Sequence, residues 1–325
     1  MTAPRKRALE LIRRYGRCTV SFQGLGDEFR FWFDGEAVVA YVDTGGAWVA
    51  AGGPIAPVDR LGEVATKFAA VAHEAERRAC FFAAEAALVD AGLDALQLGE
   101  QPVWEAARWP EVLAATPSLR YQVRRARHKG VRLRSPTAAE LASPELYATL
   151  ADVIARWQAI HHMPPMRFLV ALDARTVTAN RHVLLAERDG HVIAFASSVP
   201  VPARRRLFIE DLVRTPSAPN GTNELLVDGV MQLATSLALP EVTLGLAPLA
   251  GAVPWWLKIA RRLGARFYDF EGLRAFKAKL RPHAWEPVYL CVVHGDSTLS
   301  ALHDSLAAFA GGDLVGFARH ALVRR

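Results

Sequence analysis

Three strand signals in immediate succession constrain this chain more than any other feature. His182-Val-Leu-Leu-Ala-Glu187 runs into the turn pair Asp189-Gly190, and His191-Val-Ile-Ala-Phe-Ala-Ser-Ser-Val199 runs out of it. Asp-Gly between two apolar runs marks a tight hairpin, because the favoured two-residue turn needs positive φ at both central positions. Arg206-Leu-Phe-Ile-Glu-Asp-Leu-Val213 reads as a third strand. The pattern then changes to a Pro/Ser/Asn/Gly loop from Thr215 to Thr222, a helix from Asn223 to Leu239 and a further strand from Val242 to Leu246. Strands followed by a helix and a strand predict an α/β arrangement around a mixed sheet. Pro254 to Leu263 reads as a helix with proline in its first turn. Arg266 to Phe270 and Val288 to Val293 read as the last strands, and Ser297 to Phe309 and Leu314 to Val323 as helices.

The first part repeats the strand signals less clearly. Phe29 to Phe33 alternates, Asp34-Gly35 is a turn pair, and Ala37 to Val42 and Ala47 to Ala51 follow as strands. Asp59 to Arg78 keeps a helical period, with Asp59 suited to the N-cap, and Ala79 to Ala83 is a buried type of strand. Pro117 to Lys129 predicts a short basic helix closed by Gly130, followed by a strand from Val131 to Arg134 and a helix from Ala138 to about His161. A boundary near 140 divides the chain into 1–140 and 141–325.

A hydrophobic fraction of 51% against 22% charged residues fits a packed core and excludes wholesale disorder. Cys18, Cys80 and Cys291 form no C-x-x-C pair, so neither a disulfide framework nor a zinc ribbon is expected. They fit a reducing, cytoplasmic setting. The basic N-terminus lacks the apolar stretch of a secretory signal, and no run is long enough to span a membrane, which leaves a cytoplasmic or peripheral chain. His161-His162 lack spaced partners, so no metal site is expected. No phosphate-binding G-x-x-x-x-G-K-[ST], dinucleotide G-x-G-x-x-G, nucleophile-elbow G-x-S-x-G or zinc-binding H-E-x-x-H occurs.

Lysine and arginine total 39 against 33 acids, a formal charge of +6. Much of the excess falls in one stretch: Arg120, Arg124, Arg125, Arg127, Lys129, Arg132 and Arg134, with no acid before Glu140. Arg120, Arg124 and Arg127 recur at helical spacing. Such a stripe suits a tRNA backbone or an anionic lipid surface, and Tyr121 could stack on a base; a merely solvated basic helix is the plain alternative. Trp255-Trp256 reads either as a lipid contact or, more often for such pairs, as core. The short basic segment from Gly312 to Arg325 is either a peripheral membrane contact or a helix packed on the domain.

The element order resembles the GNAT type of N-acyltransferase fold. In that fold a glycine-rich loop and the following helix N-terminus receive a pyrophosphate. Here the loop is Arg214-Thr-Pro-Ser-Ala-Pro-Asn-Gly221-Thr, whose two prolines remove amide donors. Five segments occur in one order: Asp211-Leu-Val-Arg214, Ala218-Pro-Asn-Gly-Thr-Asn-Glu224, Leu244-Gly-Leu-Ala-Pro-Leu-Ala-Gly251, Phe270-Glu-Gly-Leu-Arg-Ala-Phe-Lys-Ala-Lys279 and Trp285-Glu-Pro-Val-Tyr-Leu290. Together they resemble the cytosolic catalytic domain of bacterial aminoacyl-phosphatidylglycerol synthases, the lysylphosphatidylglycerol synthetase or multiple peptide resistance factor family. The resemblance implies tandem GNAT-like domains with mixed, mostly antiparallel sheets, the first a degenerate copy. It implies aminoacyl-tRNA as donor substrate, a hydroxyl or amine acceptor such as phosphatidylglycerol, and no cofactor. The long membrane region that precedes this domain in full-length members is not part of this sequence.

An aminoacyl ester is already activated. It needs positioning, a route for the acceptor proton and stabilisation of charge at the carbonyl oxygen. Asp211 and Glu224 are the expected carboxylates, facing one crevice, with a helix-end role for Glu224 as the alternative. Arg214 would grip a phosphate or pair with Asp211. Lys277 would serve the tRNA terminus, a lipid phosphate or the oxyanion, with Lys279 beside it. Arg120, Arg124, Arg127 and Lys129 would bind the tRNA or lipid phosphates. Asn220 and Thr222 are expected as helix caps near the site. An acyl-CoA-dependent acyltransferase and a non-catalytic lipid- or RNA-binding module are the competing readings.

Overall fold

The structure is a computed structural model. It describes residues 1–161, 168–170, 172–178, 180–264 and 269–312. The chain begins with α1 (Ala3–Tyr15), followed by β1 (Arg30–Asp34), β2 (Ala37–Asp43), β3 (Ala47–Ala51), α2 (Leu61–Glu74) and β4 (Arg78–Ala84). Next come α3 (Ala86–Asp90), β5 (Asp94–Glu105), α4 (Trp109–Ala115), α5 (Pro117–His128) and β6 (Arg132–Arg134). Helices α6 (Ala138–Leu141), α7 (Pro144–His161) and α8 (Ala174–Thr178) lead to β7 (His182–Arg188), β8 (His191–Val201) and β9 (Arg206–Arg214). The remainder is α9 (Thr222–Ser236), β10 (Glu241–Thr243), β11 (Ala247–Pro248), α10 (Trp255–Gly264), α11 (Phe270–Lys279), β12 (Ala284–Val292) and α12 (Thr298–Phe309).

The strands form one sheet in the order β1-β2-β3-β4-β12-β5-β10-β9-β8-β7-β6, with β11 also beside β5. Only β3–β4 and β9–β10 pair in parallel among the described residues. One unit occurs twice. β1, β2 and β3 form an antiparallel meander, α2 follows, and β4 returns parallel to β3. β7, β8 and β9 form the second meander, α9 follows, and β10 returns parallel to β9. The halves are joined through β12 and β5, which pair with each other and bridge β4 to β10.

Apolar periodicity explains both crossover helices. Leu61, Val64, Ala65, Phe68 and Ala72 of α2 are buried against β2, β3 and β4, and Phe68 sits among the rings of Trp32, Tyr41, Trp48 and Phe81 at 5.4–5.7 Å. Leu225, Leu226, Val230 and Met231 of α9 close a second core with Leu207 and Ile209 of β9 and with Leu119 and Val123 of α5.

Several elements differ from expectation. Strand β5 carries no alternating signal, because Gly99-Glu-Gln-Pro102 interrupts its apolar residues; its burial comes from strands on both sides. α1 is a basic helix whose Ala8, Leu11 and Ile12 face the protein. The expected helix from Ala138 is two helices, since Ser143 Oγ accepts from the Leu146 amide and starts the second. The strand expected over Arg266–Phe270 is corrected at its end: Asp269 is the N-cap of α11, its carboxylate accepting from the Gly272 amide at 2.7 Å, and Phe270 is helical. Residues 266–268, His162 and the expected helix Leu314–Val323 lie outside the described residues. No helix among the described residues is long and apolar enough to cross a membrane.

Candidate active site

β9 and β10 pair only through Arg206–Phe208 and Glu241–Thr243, and β9 then runs on to Arg214 without that neighbour. The chain after β10 turns away at Gly245, whose φ is +64°; a Cβ there would lie 2.6 Å from the Phe208 ring, so only glycine fits this approach. The chain rejoins β5 at Ala247-Pro248. The carbonyls of Leu244, Gly245 and Leu246 fall between these two ladders. Lys277 of α11, 4% exposed, satisfies them: its Nζ donates to the three oxygens at 2.8, 2.9 and 2.8 Å. One ammonium has three donors, and here all three are spent on the backbone. Burial pushes the Lys277 ammonium down to about 7. Its placement is therefore structural in the first instance: it holds open one wall of the splay between β9 and β10.

The opposite wall is shaped by a β-bulge. Ser197 pairs with Asp211 and Ser198 with Ile209, which leaves Glu210 as an extra residue on β9. A bulge shifts the in–out alternation by one. Leu207, Ile209 and Leu212 pack on the core beneath α9, whereas Val213 packs with Phe195 and α7. By this alternation Arg214 lies on the α9 face and Asp211 on the other. Asp211 and Glu224 thus flank the splay from opposite faces rather than sharing one wall as expected.

The Ser197 hydroxyl donates to Asp211 Oδ2. Glu210 is held by Arg181, whose Nη2 donates to Oε1 at 2.8 Å and whose Nε donates to Oε2. Burial, together with the neighbouring Glu210 carboxylate, pushes the Asp211 carboxyl up to about 7, against the pull of the Ser197 hydroxyl and Arg181. Sequence reasoning missed Ser197, Arg181 and Glu210. The available signal was the pairing of two polar positions, Ser197-Ser198, with two acids, Glu210-Asp211, inside otherwise apolar strands.

At the start of α9 the N-cap is Gly221, with φ +94° and no side-chain cap, so Asn220 and Thr222 are not the caps they were expected to be. Asn220 is exposed, and Thr222 Oγ1 donates to the Pro219 carbonyl at 2.7 Å. A Cβ at Gly221 would lie 2.1 Å from the Gln122 carbonyl oxygen, so the α5 backbone packs directly against the start of α9. Arg214 Nη1 donates to the Ala218 carbonyl at 3.2 Å and closes the loop on itself. Glu224, 6% exposed, accepts from Lys279 Nζ at 2.6 Å. That bond ties α9 to the last turn of α11.

The basic stretch divides in two. Arg120 Nη1 donates to the Leu113 and Ala114 carbonyls at the end of α4, Arg127 pairs with the buried Asp228 at 2.7 Å, and Arg134 pairs with Glu140 and Glu187. Arg124, Lys129 and Arg132 are exposed, Arg125 is half-buried, and none of the four has an acidic partner among the described residues. Tyr121 is 59% exposed beside them. Among the described residues no group of His, Cys, Asp or Glu is placed to hold a metal ion.

Two antiparallel meanders, each with a crossover helix and a returning parallel strand, the second splayed, define a tandem GNAT-like acyltransferase fold. The family described as phosphatidylglycerol lysyltransferase, C-terminal, matches residues 9–292, and the chain belongs to it. The LysX lysylphosphatidylglycerol biosynthesis bifunctional protein of Mycobacterium avium is 30% identical over 221 residues, which are 62% of this chain and 18% of that protein. The chain therefore spans only a small part of the relative it matches. Among solved structures, the C-terminal domain (DUF2156) of a protein named as a lysylphosphatidylglycerol synthetase from Agrobacterium fabrum superposes with TM-score 0.78 at 24% identity, covering 96% of this chain and 98% of that one. L-PGS from Bacillus licheniformis superposes with TM-score 0.78 at 19% identity over 93% and 95%.

Proposed function

We propose that this chain transfers an aminoacyl group from aminoacyl-tRNA to a hydroxyl acceptor, with phosphatidylglycerol as the acceptor, at the splay between β9 and β10. The observation that carries this reading is Asp211, a carboxyl pushed up to about 7 on the one stretch of β9 that has lost its neighbour. A general base works best when its pKa lies near the operating pH. The acceptor oxygen attacks the ester carbonyl carbon and its proton passes to Asp211. The ester C–O bond to the tRNA then breaks, and the same proton returns to the departing ribose oxygen. One ester is exchanged for another, so no further energy source is needed.

The other residues shape the reaction. Arg214 spends one nitrogen on Ala218 and lies by strand alternation on the α9 face, where it would meet a phosphate of the donor or acceptor. Lys277 positions the 244–246 wall through its three carbonyl contacts. Glu224 and Lys279 lock α9 to α11. Arg124, Arg125, Lys129 and Arg132, which have no acidic partner among the described residues, supply with Tyr121 an electropositive approach for the tRNA. The close approach of the α5 backbone to Gly221, and the prolines of the 214–222 loop, weigh against an acyl-CoA donor. The family and the GNAT-like fold favour an enzyme over a binding module.

Incubation of the chain with mixed charged tRNAs and a total lipid extract, followed by mass spectrometry, tests the reading. A lipid product heavier by one aminoacyl residue is expected. Turnover of acetyl-CoA with no aminoacylated product would overturn it.

A further inference from the structure

Helix α10 carries two adjacent tryptophans with opposite fates. Trp256 and Leu257 turn inward and pack with Leu246 and Leu249, so α10 rests on the loop whose carbonyls Lys277 holds. Trp255 is 72% exposed, and Ile259, one turn later on the same side, is 46% exposed. Lys258 between them is also exposed. A large aromatic and a branched aliphatic side chain one turn apart form an exposed apolar edge beside the candidate site, and covering them would be favourable.

The charge of the segment says what covers them. From Val242 to Tyr268 there is no aspartate or glutamate, while Lys258, Arg261, Arg262 and Arg266 fall within it. An exposed tryptophan, an apolar neighbour at i+4 and an acid-free basic segment are the features that hold a helix in the headgroup layer of an anionic bilayer. A second copy of this chain would meet the same positive segment with its own.

We infer that α10 docks this chain on an anionic membrane surface. Trp255 and Ile259 enter the headgroup boundary, and Lys258 between them rests on lipid phosphate. This rests on the proposed reading that the acceptor is a membrane lipid, and it specifies that reading: docking through α10 places the 244–246 wall of the splay at the lipid plane.

The test is co-sedimentation of the chain with large unilamellar vesicles of phosphatidylcholine, with and without phosphatidylglycerol. Wild type is compared with the double variant Trp255→Ser/Ile259→Asp. Both side chains are exposed, so an unchanged melting temperature is expected and confirms the fold. Binding is expected on phosphatidylglycerol-containing vesicles and weakened at least about tenfold in the double variant. Brominated lipid should quench tryptophan fluorescence in wild type, and less in Trp255→Phe. The inference is overturned by equal binding of wild type and double variant, by equal wild-type binding to both vesicle types, or by a wild-type dimer that the variant splits with no change in vesicle binding. Transfer to a water-soluble short-chain phosphatidylglycerol separates the two claims. Activity retained there by the double variant and lost on vesicles supports docking; wild-type vesicle binding without any transfer supports docking while the functional reading fails.

Discussion

Ser197 and Asp211 stand directly opposite each other where the β8–β9 ladder bulges, and the serine hydroxyl donates to Asp211 Oδ2. The bulge turns this carboxyl to the face away from α9, and the serine fixes one of its oxygens; on the proposed mechanism the other receives the acceptor proton. Ser197 is fully buried, so it acts through Asp211. Its hydrogen bond favours the charged carboxylate. Replacing Ser197 by alanine should move the acid limb of the kcat/KM profile to higher pH by roughly one unit, the effect of removing one hydrogen bond to a charged group. Ser197→Thr should restore it. A pH–rate series on the three proteins checks this.

The same carboxyl makes stability depend on pH. In the folded chain Asp211 holds its proton up to about 7, whereas an unfolded aspartate loses it near 3.9. The native state therefore binds more protons in that window, and the stability contributed by Asp211 falls as pH rises through it. Asparagine mimics the protonated form. Asp211→Asn should melt like wild type at pH 4 and be more stable at pH 8, by on the order of 2 kcal/mol. Thermal melts of both proteins across this range measure the difference.

Lys277 should behave as a structural residue before anything else. Lys277→Met keeps the aliphatic volume but strips three carbonyls, one buried and two partly buried, of their donor. Each orphaned group costs about 1–3 kcal/mol, so a destabilisation of at least about 3 kcal/mol is expected. Urea denaturation with an unchanged m-value is the measurement.

The basic stretch should split into two phenotypes. Arg127→Ala leaves Asp228 buried beside Trp109 and Gln232 with its charge unpaired, and should lower the melting temperature. Arg124→Ala/Lys129→Ala should leave stability within about 0.5 kcal/mol. It should weaken RNA binding and make the slope of log K against log salt shallower by about 0.7–0.9 for each phosphate that is no longer neutralised. Binding titrations at several salt concentrations separate the two classes.

The second meander was legible in the sequence because it is half-buried in a regular way: Asp189-Gly190 fixes the hairpin and the apolar runs on either side carry the strands. The first meander is the same unit, yet its repetition shows only in the pairing of β3 with β4, since equivalent topology does not require equivalent residues. Strand β5 was hidden because the polar side chains of its Gly99–Pro102 segment find non-local partners: Gln101 Nε2 donates to Glu85 and Glu286, and Glu100 pairs with Arg274. In the site, the residue types were readable and their faces were not. A single extra residue at Glu210 sends Asp211 to the side opposite Glu224. Likewise Lys277 could be recognised as a lysine near the site, but only the fold shows that three carbonyls leave the ladder to meet it.

In the proposed mechanism Asp211 takes the acceptor proton during aminoacyl transfer. Single-turnover transfer from radiolabelled aminoacyl-tRNA to phosphatidylglycerol vesicles, at saturating enzyme and near-neutral pH, measures it most directly. Asp211→Asn should bind the tRNA as wild type does and slow transfer by about 10²–10⁴-fold. Transfer by Asp211→Asn at the wild-type rate would contradict the account.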